Sequence, residues 1–251
     1  MDTAVAEDSS RGFDDPGLGD DDPESGAGEE DFTALRRAWS NEKYAPELLP
    51  FNERAVLHVS EVVEFITSDL DEERGDEDQD LNDPSRVLRT AELERIKYVL
   101  RDYLRIRIWK LTQWPQHYLD SANISFLSVA ERSFLREYWG NKRKFFETRL
   151  LSVLPPAKKG LADRIDLLDM VRKPILDKTV YVRVHEDIDL VLPSTSPDQQ
   201  STTQPSAGAT GSGTRFGAGQ TYLVPYAVVR PFLVEREHAD ANGNFTKVSL
   251  V

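Results

Sequence analysis

The chain has 251 residues, a net charge of -13 and no cysteine. Without thiols it has no disulfide framework, cysteine nucleophile or cysteine-based zinc site. The N-terminal residues do not form a basic and then apolar secretion signal. No apolar run approaches the roughly 18–20 residues that a membrane-spanning helix needs. We therefore expect a soluble intracellular protein.

The negative charge is concentrated in two segments. Residues 1–31 hold 12 acids and one arginine, and residues 71–83 hold eight acids and one arginine, so the remainder is mildly basic. Residues 1–30 are rich in Asp, Glu, Gly, Ser and Pro, and such a segment cannot bury enough apolar surface to offset its ordering entropy. We predict a disordered acidic tail over 1–30 and an acidic loop over 71–83.

Helical periodicity predicts two helices before the acidic loop. The first runs from about 32 to 44 and is ended by Pro46, because proline cannot continue a helix. The second runs from about 52 to 70, where apolar residues recur at the spacing of an amphipathic helix. Those residues are Val56, Val59, Val63, Ile66 and Leu70.

The third predicted helix, at about 84–114, is apolar around most of its circumference. Tyr98 and Trp109 lie nearly opposite its main apolar face. A helix of this kind is buried by more than one neighbour, and we expect part of that burial to come from another chain. The main apolar face consists of Leu93, Ile96, Leu100, Leu104, Leu111 and Trp114, and a narrow polar stripe consists of Glu94, Lys97, Arg101 and Arg105.

Arg107 is unusual because it projects into the main apolar face of this helix. A buried guanidinium needs a carboxylate partner. If the chain itself does not supply that carboxylate, a partner chain must.

A capping box predicts the start of a fourth helix. The Ser128 hydroxyl can accept from the backbone of Glu131 while the Glu131 carboxylate reaches back to Ser128. The helix continues to Leu151, and Pro155 and Pro156 end it. We predict one helical domain over 31–157.

The remainder, residues 164–251, is predicted to form a small β domain. A short helix is expected at 164–172, and strands are expected at 179–184 and 188–192, pairing with each other. Residues 193–220 are low in complexity and predict a flexible insertion. Asn242 and Gly243 predict a hairpin turn between 233–237 and 245–251. The fold class is therefore α+β, mainly α: a helical bundle followed by a small β-rich domain.

Motifs for catalysis or cofactor binding are missing from the sequence. The glycine-rich stretch 208–214 lacks the lysine of a phosphate-binding loop. The four histidines, at 58, 117, 185 and 238, have no zinc spacing, and no serine lies in a nucleophile elbow. We expect no catalytic residue, no cofactor and no metal, and we do not expect an enzyme.

Basic residues on two predicted helices leave a second interpretation open. Arg101 and Arg105 extend along the third helix, and Lys142, Arg143 and Lys144 cluster on the fourth. Such faces can follow the phosphates of nucleic acid. They are also typical of solvated helix faces that balance nearby acids. The alternative function is therefore an autonomous nucleic-acid-binding module.

Four stretches of the chain carry a further signal: AWSNEKYAPELL at 38–49, ERIKYVLRDYLRIR at 94–107, PILDKTVYVRV at 174–184 and LVPYAVVRPFL at 223–233. Together they resemble the Sld-five subunit family of the GINS complex, the heterotetramer of eukaryotic DNA replication. The resemblance covers roughly 32–192 and 222–251.

This resemblance implies a helical domain followed by a β domain, and a non-catalytic structural role. The implied partners are three sister GINS subunits, the minichromosome-maintenance helicase and its RecJ-like companion factor, in the nucleus, with no membrane and with DNA contact at most indirect. The motif residues that carry interface or fold roles are Trp39, Asn41, Glu42, Ala45, Pro46, Glu47, Glu94, Arg95, Tyr98, Leu100, Tyr103, Arg105 and Arg107.

Among these motif residues we distinguish two groups. Trp39, Leu100 and Tyr103 are expected to stabilise their own subunit. Arg105 and Arg107 are expected to contact another subunit.

Overall fold

The computed structural model describes residues 23–75, 83–120, 122–155, 159–162, 164–165, 168–191, 213–235 and 247–251. The predicted tail up to residue 22, most of the predicted acidic loop, most of the predicted insertion and the predicted turn at 242–243 lie outside the described residues.

Three long helices form the first part of the chain. Helix α1 spans Pro23–Tyr44, α2 spans Glu53–Gly75 and α3 spans Pro84–Gln113. Helix α1 starts earlier than predicted, at a proline, which fits the first turn because its missing N–H has no helical partner there. The predicted disorder of 1–30 is therefore wrong for 23–30, and the predicted loop of 71–83 is wrong for 71–75.

Helices α1 and α3 run in the same direction, and α2, which lies between them in the chain, runs antiparallel to both. Trp39 Nε1 on α1 donates to Asp102 on α3 at 2.8 Å, and a few residues further along Lys110 reaches Glu42. The end of α2 meets the start of α3, where Arg89 donates to Asp69 at 2.9 Å. The buried residues that join the three helices are Ala34, Leu35, Ala55, Val59, Val99 and Tyr103.

The bundle is completed by α5, Val129–Phe146, after a short helix α4 at Pro115–Leu119 and a 3₁₀ turn at Ile124–Phe126. The predicted capping box is confirmed: the Glu131 amide donates to Ser128 Oγ at 3.2 Å, and the Ser128 amide donates to Glu131 Oε2 at 2.9 Å. A π-helical turn, Glu147–Leu151, follows α5. A second buried cluster beneath these elements contains Leu48, Leu111, Tyr118, Leu127 and Leu135.

The second domain is a small β structure with one helix. The strands are β1 Arg164–Ile165, β2 Leu168–Asp169, β3 Thr179–Val184, β4 Ile188–Val191, β5 Gly213–Phe216, β6 Thr221–Pro225 and β7 Val248–Leu250, and helix α6 is Tyr226–Val234. Three of them form an antiparallel sheet with the order β6-β3-β7, and β1-β2 and β4-β5 form two further pairs. The predicted class, α+β and mainly α, is confirmed.

Four predictions about this domain are wrong. Residues 164–172 contain the β1-β2 hairpin and not a helix, because so short a segment gains too few helical hydrogen bonds to offset nucleation. Strand β4 pairs with β5 and not with β3, since both edges of β3 are already occupied by β6 and β7. The latter part of the predicted insertion, 213–220, therefore contains a strand and a turn.

Residues 233–234 are the end of α6 and not a strand. The sequence carries the reason, because Tyr226, Val229 and Leu233 follow helical spacing and all three are buried. They pack on the inward residues of β3 in a core that also contains Ala45 and Leu49 from the segment after α1. The two domains thus share one apolar cluster.

In the part of the chain that the structure describes, none of the helices is both long and apolar enough to cross a bilayer.

Candidate functional site

A buried cluster of charges lies where the first two family motifs meet. The Arg107 side chain is fully buried, and its guanidinium contacts two carboxylates. Nη1 donates to Glu42 Oε2 at 2.9 Å, while Nε and Nη2 donate to the two oxygens of Glu131 at 2.7 and 3.0 Å. The remaining donors reach the backbone oxygens of Leu49 and Phe126 at 2.7 and 2.9 Å. The planar fork of arginine thus ties α1, α3, α5 and two connecting segments together.

Lys110 lies one turn after Arg107 and joins the same cluster. Its ammonium donates to Glu42 Oε1 at 2.7 Å and to the backbone oxygens of Glu42 and Glu47. Burial lowers the pKa of Lys110, and the Glu42 carboxylate partly offsets that effect. The Glu42 carboxylate therefore bridges two cations, which is the arrangement that compensates the desolvation of buried charges.

The expectation that Arg107 contacts another subunit is wrong. Both carboxylates come from the chain itself, and no part of the side chain is exposed to a partner. On the main face of α3, Leu93 and Leu111 are buried within the chain while the other four residues are half-buried, so burial of part of this helix by another chain stays a prediction. Arg105, two residues earlier, is exposed on the opposite side, so its contact with a partner stays a prediction.

Glu47 holds the two domains together. Its Oε1 accepts from the Tyr226 hydroxyl at 2.9 Å and from Arg230 Nε at 2.6 Å, both on α6. Arg230 Nη2 also donates to Oε2 at 3.2 Å. Because the Glu47 side chain is almost entirely buried, these bonds are shielded from water.

Helix α1 also covers the edge of the sheet. The Leu250 amide of β7 donates to Asn41 Oδ1 at 2.7 Å, and the Leu250 carbonyl accepts from Ser40 Oγ at 2.7 Å. An edge strand presents unpaired backbone groups, and these two side chains satisfy one N–H and one C=O. The motif 38–49 thus contacts the β domain both at α6 and at the sheet edge.

The other predicted residues divide into inner and outer sets. Leu100 packs against the bundle core beside Tyr103, and Trp39 is half-buried. Pro46 is half-buried in the segment after α1. The residues on the outer side of α3 are Glu94, Arg95, Tyr98, Arg101 and Arg105.

The basic residues of α5 lie apart from the charge cluster. Arg143 is exposed and donates to Glu147 at 2.7 Å, and Lys144 is exposed beside it. Lys142 is half-buried and lies 5.4 Å from the centre of the Tyr138 ring.

Four residues of the site were missed by sequence reasoning: Lys110, Glu131, Tyr226 and Arg230. A signal for Lys110 exists, because it follows Arg107 at helical spacing and so shares its buried face. Glu131 was recognised as a cap, and its second role depends on the packing of α5 against α3. Within the described residues, no group of three or more histidines and carboxylates is arranged to hold a metal ion.

Exposed apolar side chains form two further surfaces. The first, the α3 outer face, contains Tyr98, Ile108 and Trp109, of which Tyr98 and Trp109 are 59% and 57% exposed. The second, the α5 end, follows the last turns of α5 and the π-helix and contains Phe145, Leu150, Val153 and Leu154.

Burial of Tyr103 beside the charge cluster leads us to expect a loss of stability at alkaline pH. Burial raises the pKa of Tyr103 from its ordinary 10.0 to about 12, with Arg107 opposing this effect and Glu42 adding to it. Unfolded tyrosine ionises near pH 10, so between pH 10 and 12 the folded chain binds more protons, and stability falls as the pH rises. The two-unit difference corresponds to roughly 2.7 kcal/mol from this residue. Denaturant midpoints on either side of this window measure the loss.

The control for this prediction is Tyr103→Phe, which removes the ionising hydroxyl. Part of the alkaline loss should remain in the variant, because burial also raises the pKa of Tyr118 and Tyr226. If wild type and variant lose the same free energy between pH 10 and 12, Tyr103 does not contribute.

Known proteins match this chain across the same elements. A family model described as the GINS complex protein helical bundle domain matches residues 63–149, which include Arg107 and Glu131. The fold is therefore of the GINS helical-bundle class, extended by a β domain.

Individual relatives extend the match beyond the bundle. The human DNA replication complex GINS protein SLD5 is 34% identical over 172 residues, covering 66% of this chain and 73% of that protein. The Schizosaccharomyces pombe protein of the same name is 32% identical over 162 residues, or 64% and 75% of the two chains. The Arabidopsis thaliana protein is 33% identical over 171 residues, or 64% and 74%. This chain belongs to the SLD5 family of GINS proteins.

Proposed function

We propose that this chain is a non-catalytic structural subunit of a GINS heterotetramer in the nucleus. It assembles with three sister subunits, and the assembly activates the replicative helicase together with the minichromosome-maintenance hexamer and a RecJ-like factor. Its contribution is a rigid two-domain body with surfaces for other proteins. Family membership supports the assembly, and the exposed apolar surfaces support the mode of contact.

The observation that carries the proposal is the α3 outer face. Large aromatic side chains are seldom grouped on the surface of a monomer, and tryptophan and tyrosine are enriched among the residues that dominate interfaces. Here Tyr98 and Trp109 lie three helical turns apart on one side of α3, interleaved with Arg101 and Arg105. Aromatic and arginine side chains together are typical of a protein contact.

The α5 end supports the same proposal. Val153 is 85% exposed, and Phe145, Leu150 and Leu154 are also exposed along one projecting segment. Burying such side chains contributes about 1.5–3 kcal/mol each. A partner that covers both surfaces would bury the apolar groups that the chain leaves in water.

The alternative, an autonomous nucleic-acid-binding module, has less support. Arg143 pairs with Glu147 at 2.7 Å, and Arg101 has Glu94 as a neighbour at 3.9 Å. Carboxylates at these positions reduce the positive potential that phosphates need. We therefore assign these basic residues to a solvated helix face and treat any DNA contact of the subunit as indirect.

The proposal predicts a specific loss of assembly in Trp109→Asp. The substitution places a charge at the C-terminal end of the α3 outer face and removes an anchor residue, so recovery of the three sister subunits after coexpression should fall at least about tenfold. Because Trp109 is exposed, the fold of the chain should be retained within about 0.5 kcal/mol. Affinity purification through this chain, with quantification of each subunit, measures the effect.

Ser133→Asp is the matched control, because it adds the same charge at an exposed polar residue of α5, outside the α3 outer face. It should recover the sister subunits as wild type does. Equal recovery in the two variants would contradict the assignment of the α3 outer face as an interface.

A further inference from the structure

A basic cleft lies between the two domains. It has a volume of about 320 Å³ and is formed by the middle of α1 and the outer faces of β3 and β7. Four basic residues line it: Arg36 and Arg37 from α1, Arg183 from β3, and His185 just after β3. No aspartate or glutamate side chain is among the described residues that line the cleft.

The floor of the cleft is held rigidly. Ser40 and Asn41 bind the backbone of Leu250, which fixes α1 against the edge of the sheet. His185 Nε2 lies 2.9 Å from Ser249 Oγ, so the imidazole is held across β7. The cleft is therefore preformed by the same motif that joins the domains.

Among the described residues, no aspartate or glutamate lies within ion-pair distance of the cleft arginines, although Val251, which carries the terminal carboxyl group, also lines the cleft. The pKa of His185 is lowered by burial and by the nearby guanidiniums of Arg37 and Arg183, while Glu186 partly offsets this effect. Because these two arginines disfavour a positive charge on His185, the electrostatic potential in the cleft is positive. A positive potential favours binding of an anion. Guanidinium groups bind carboxylates with a matching fork of donors.

We propose that the basic cleft binds the acidic N-terminal segment of this same chain, residues 1–22. This segment carries eight acidic residues and one arginine, which complements three arginines and a histidine. It enters α1 directly at Pro23, and Arg36 and Arg37 lie on that helix. Docking would cover this interdomain face until a more strongly binding acidic ligand or partner displaces the segment.

The geometry of the connection permits the contact. Thr33, at the rim of the cleft, is ten residues after Pro23, or about 15 Å along the helix. The 13 residues between Ser10 and Pro23 span up to about 45 Å when extended. Since the segment is tethered, its effective concentration at the cleft is of millimolar order, and modest surface ion pairs suffice to populate the docked form.

Disulfide trapping tests the proposal, because the chain has no cysteine of its own. The full-length chain, alone or in the assembly with which it copurifies, is prepared as Ser10→Cys/Thr33→Cys and as Ser10→Cys/Ser133→Cys. Ser133 is exposed on α5, which does not line the cleft. At low salt, the Thr33 pair should cross-link at least about tenfold faster than the Ser133 pair, reflecting the local concentration.

The preference should disappear when the electrostatic contact is removed. Raising the salt to about 1 M shortens the screening length to about 3 Å, and Arg36→Gln/Arg37→Gln/Arg183→Gln removes the cleft charges. Both should bring the two rates together, with the fold of the triple variant checked by its thermal transition. Equal rates at low salt, or a preference that survives the triple variant, would overturn the proposal.

Two alternative occupants give distinct results. A cross-linking rate that rises with protein concentration would place the segment in the cleft of a second copy and contradict docking within one chain. If the triple variant weakens binding of duplex DNA while the two cysteine pairs react equally, the cleft serves nucleic acid and the proposal fails.

Discussion

Arg107→Met should lower the free energy of unfolding by about 3–5 kcal/mol, the cost of breaking a buried ion pair on one side only. The methionine fills much of the space of the arginine but leaves the carboxylates of Glu42 and Glu131 without their cation. The carbonyls of Leu49 and Phe126 lose a donor as well. Chemical denaturation of the full-length chain, followed by circular dichroism, measures the loss.

Arg105→Met is the matched control, because it makes the same chemical change on the same helix at an exposed side chain. It should change stability by no more than about 0.5 kcal/mol. Arg107→Lys should fall between the two, because lysine retains the charge but not the fork that reaches both carboxylates at once. Equal stability of the two methionine variants would show that the charge cluster does not stabilise the fold.

The sequence alone predicted that Arg107 is buried and needs a carboxylate, but it did not identify that carboxylate. Helical periodicity places a residue on a face of its own helix, and this is a local property. Glu42 is 65 residues away along the chain and Glu131 is 24 away. Which acid meets the guanidinium depends on how three helices pack, and periodicity carries no information about that.

Local signals predicted the helical domain well. The Ser128–Glu131 box requires contacts within one turn, and the structure has both hydrogen bonds. Helix α3 begins at the predicted Pro84 and ends one residue before the predicted Trp114. Its start is set by Asp83, whose side chain accepts from the Ser85 amide at 3.3 Å.

The β domain was predicted less well because strand partners are set by non-local competition. Ile188–Val191 is a strand as expected, but the sheet had no free edge for it beside β3. Its actual partner, Gly213–Phe216, follows a long segment of low complexity, and composition gave no reason to expect a strand there. The pairing partner of such a strand depends on which sheet edge remains available.

The family motifs have a physical explanation in this structure. Motif 38–49 supplies Glu42 and Glu47, motif 94–107 supplies Arg107, and motif 223–233 supplies Tyr226 and Arg230. These stretches are far apart in sequence and form one continuous set of buried ion pairs and hydrogen bonds. Each buried charge in this set has a specific partner, so a substitution at one residue leaves another without its counterion or donor.

Glu47→Ala should loosen the β domain from the bundle more than it destabilises the bundle itself. The substitution leaves the buried Tyr226 hydroxyl without its acceptor and Arg230 without its counterion. A lost hydrogen bond to a charged group costs about 1.5–3 kcal/mol, and a buried unsatisfied hydroxyl adds about 1–3 kcal/mol. Because the Arg230 side chain is 37% exposed, water replaces part of its lost interaction and the total should lie near 3 kcal/mol.

Hydrogen exchange distinguishes domain release from general destabilisation, because it measures opening residue by residue. In Glu47→Ala, the amides of Val182 and Leu250 in the sheet should exchange about 100-fold faster, as about 3 kcal/mol implies. The amides of Val99 and Tyr103 in the bundle should change little. Glu47→Gln should be milder, since its amide oxygen still accepts from Tyr226. Equal acceleration in both domains would mean that Glu47 supports one cooperative core, and that the β domain cannot open separately from the helices on which it packs.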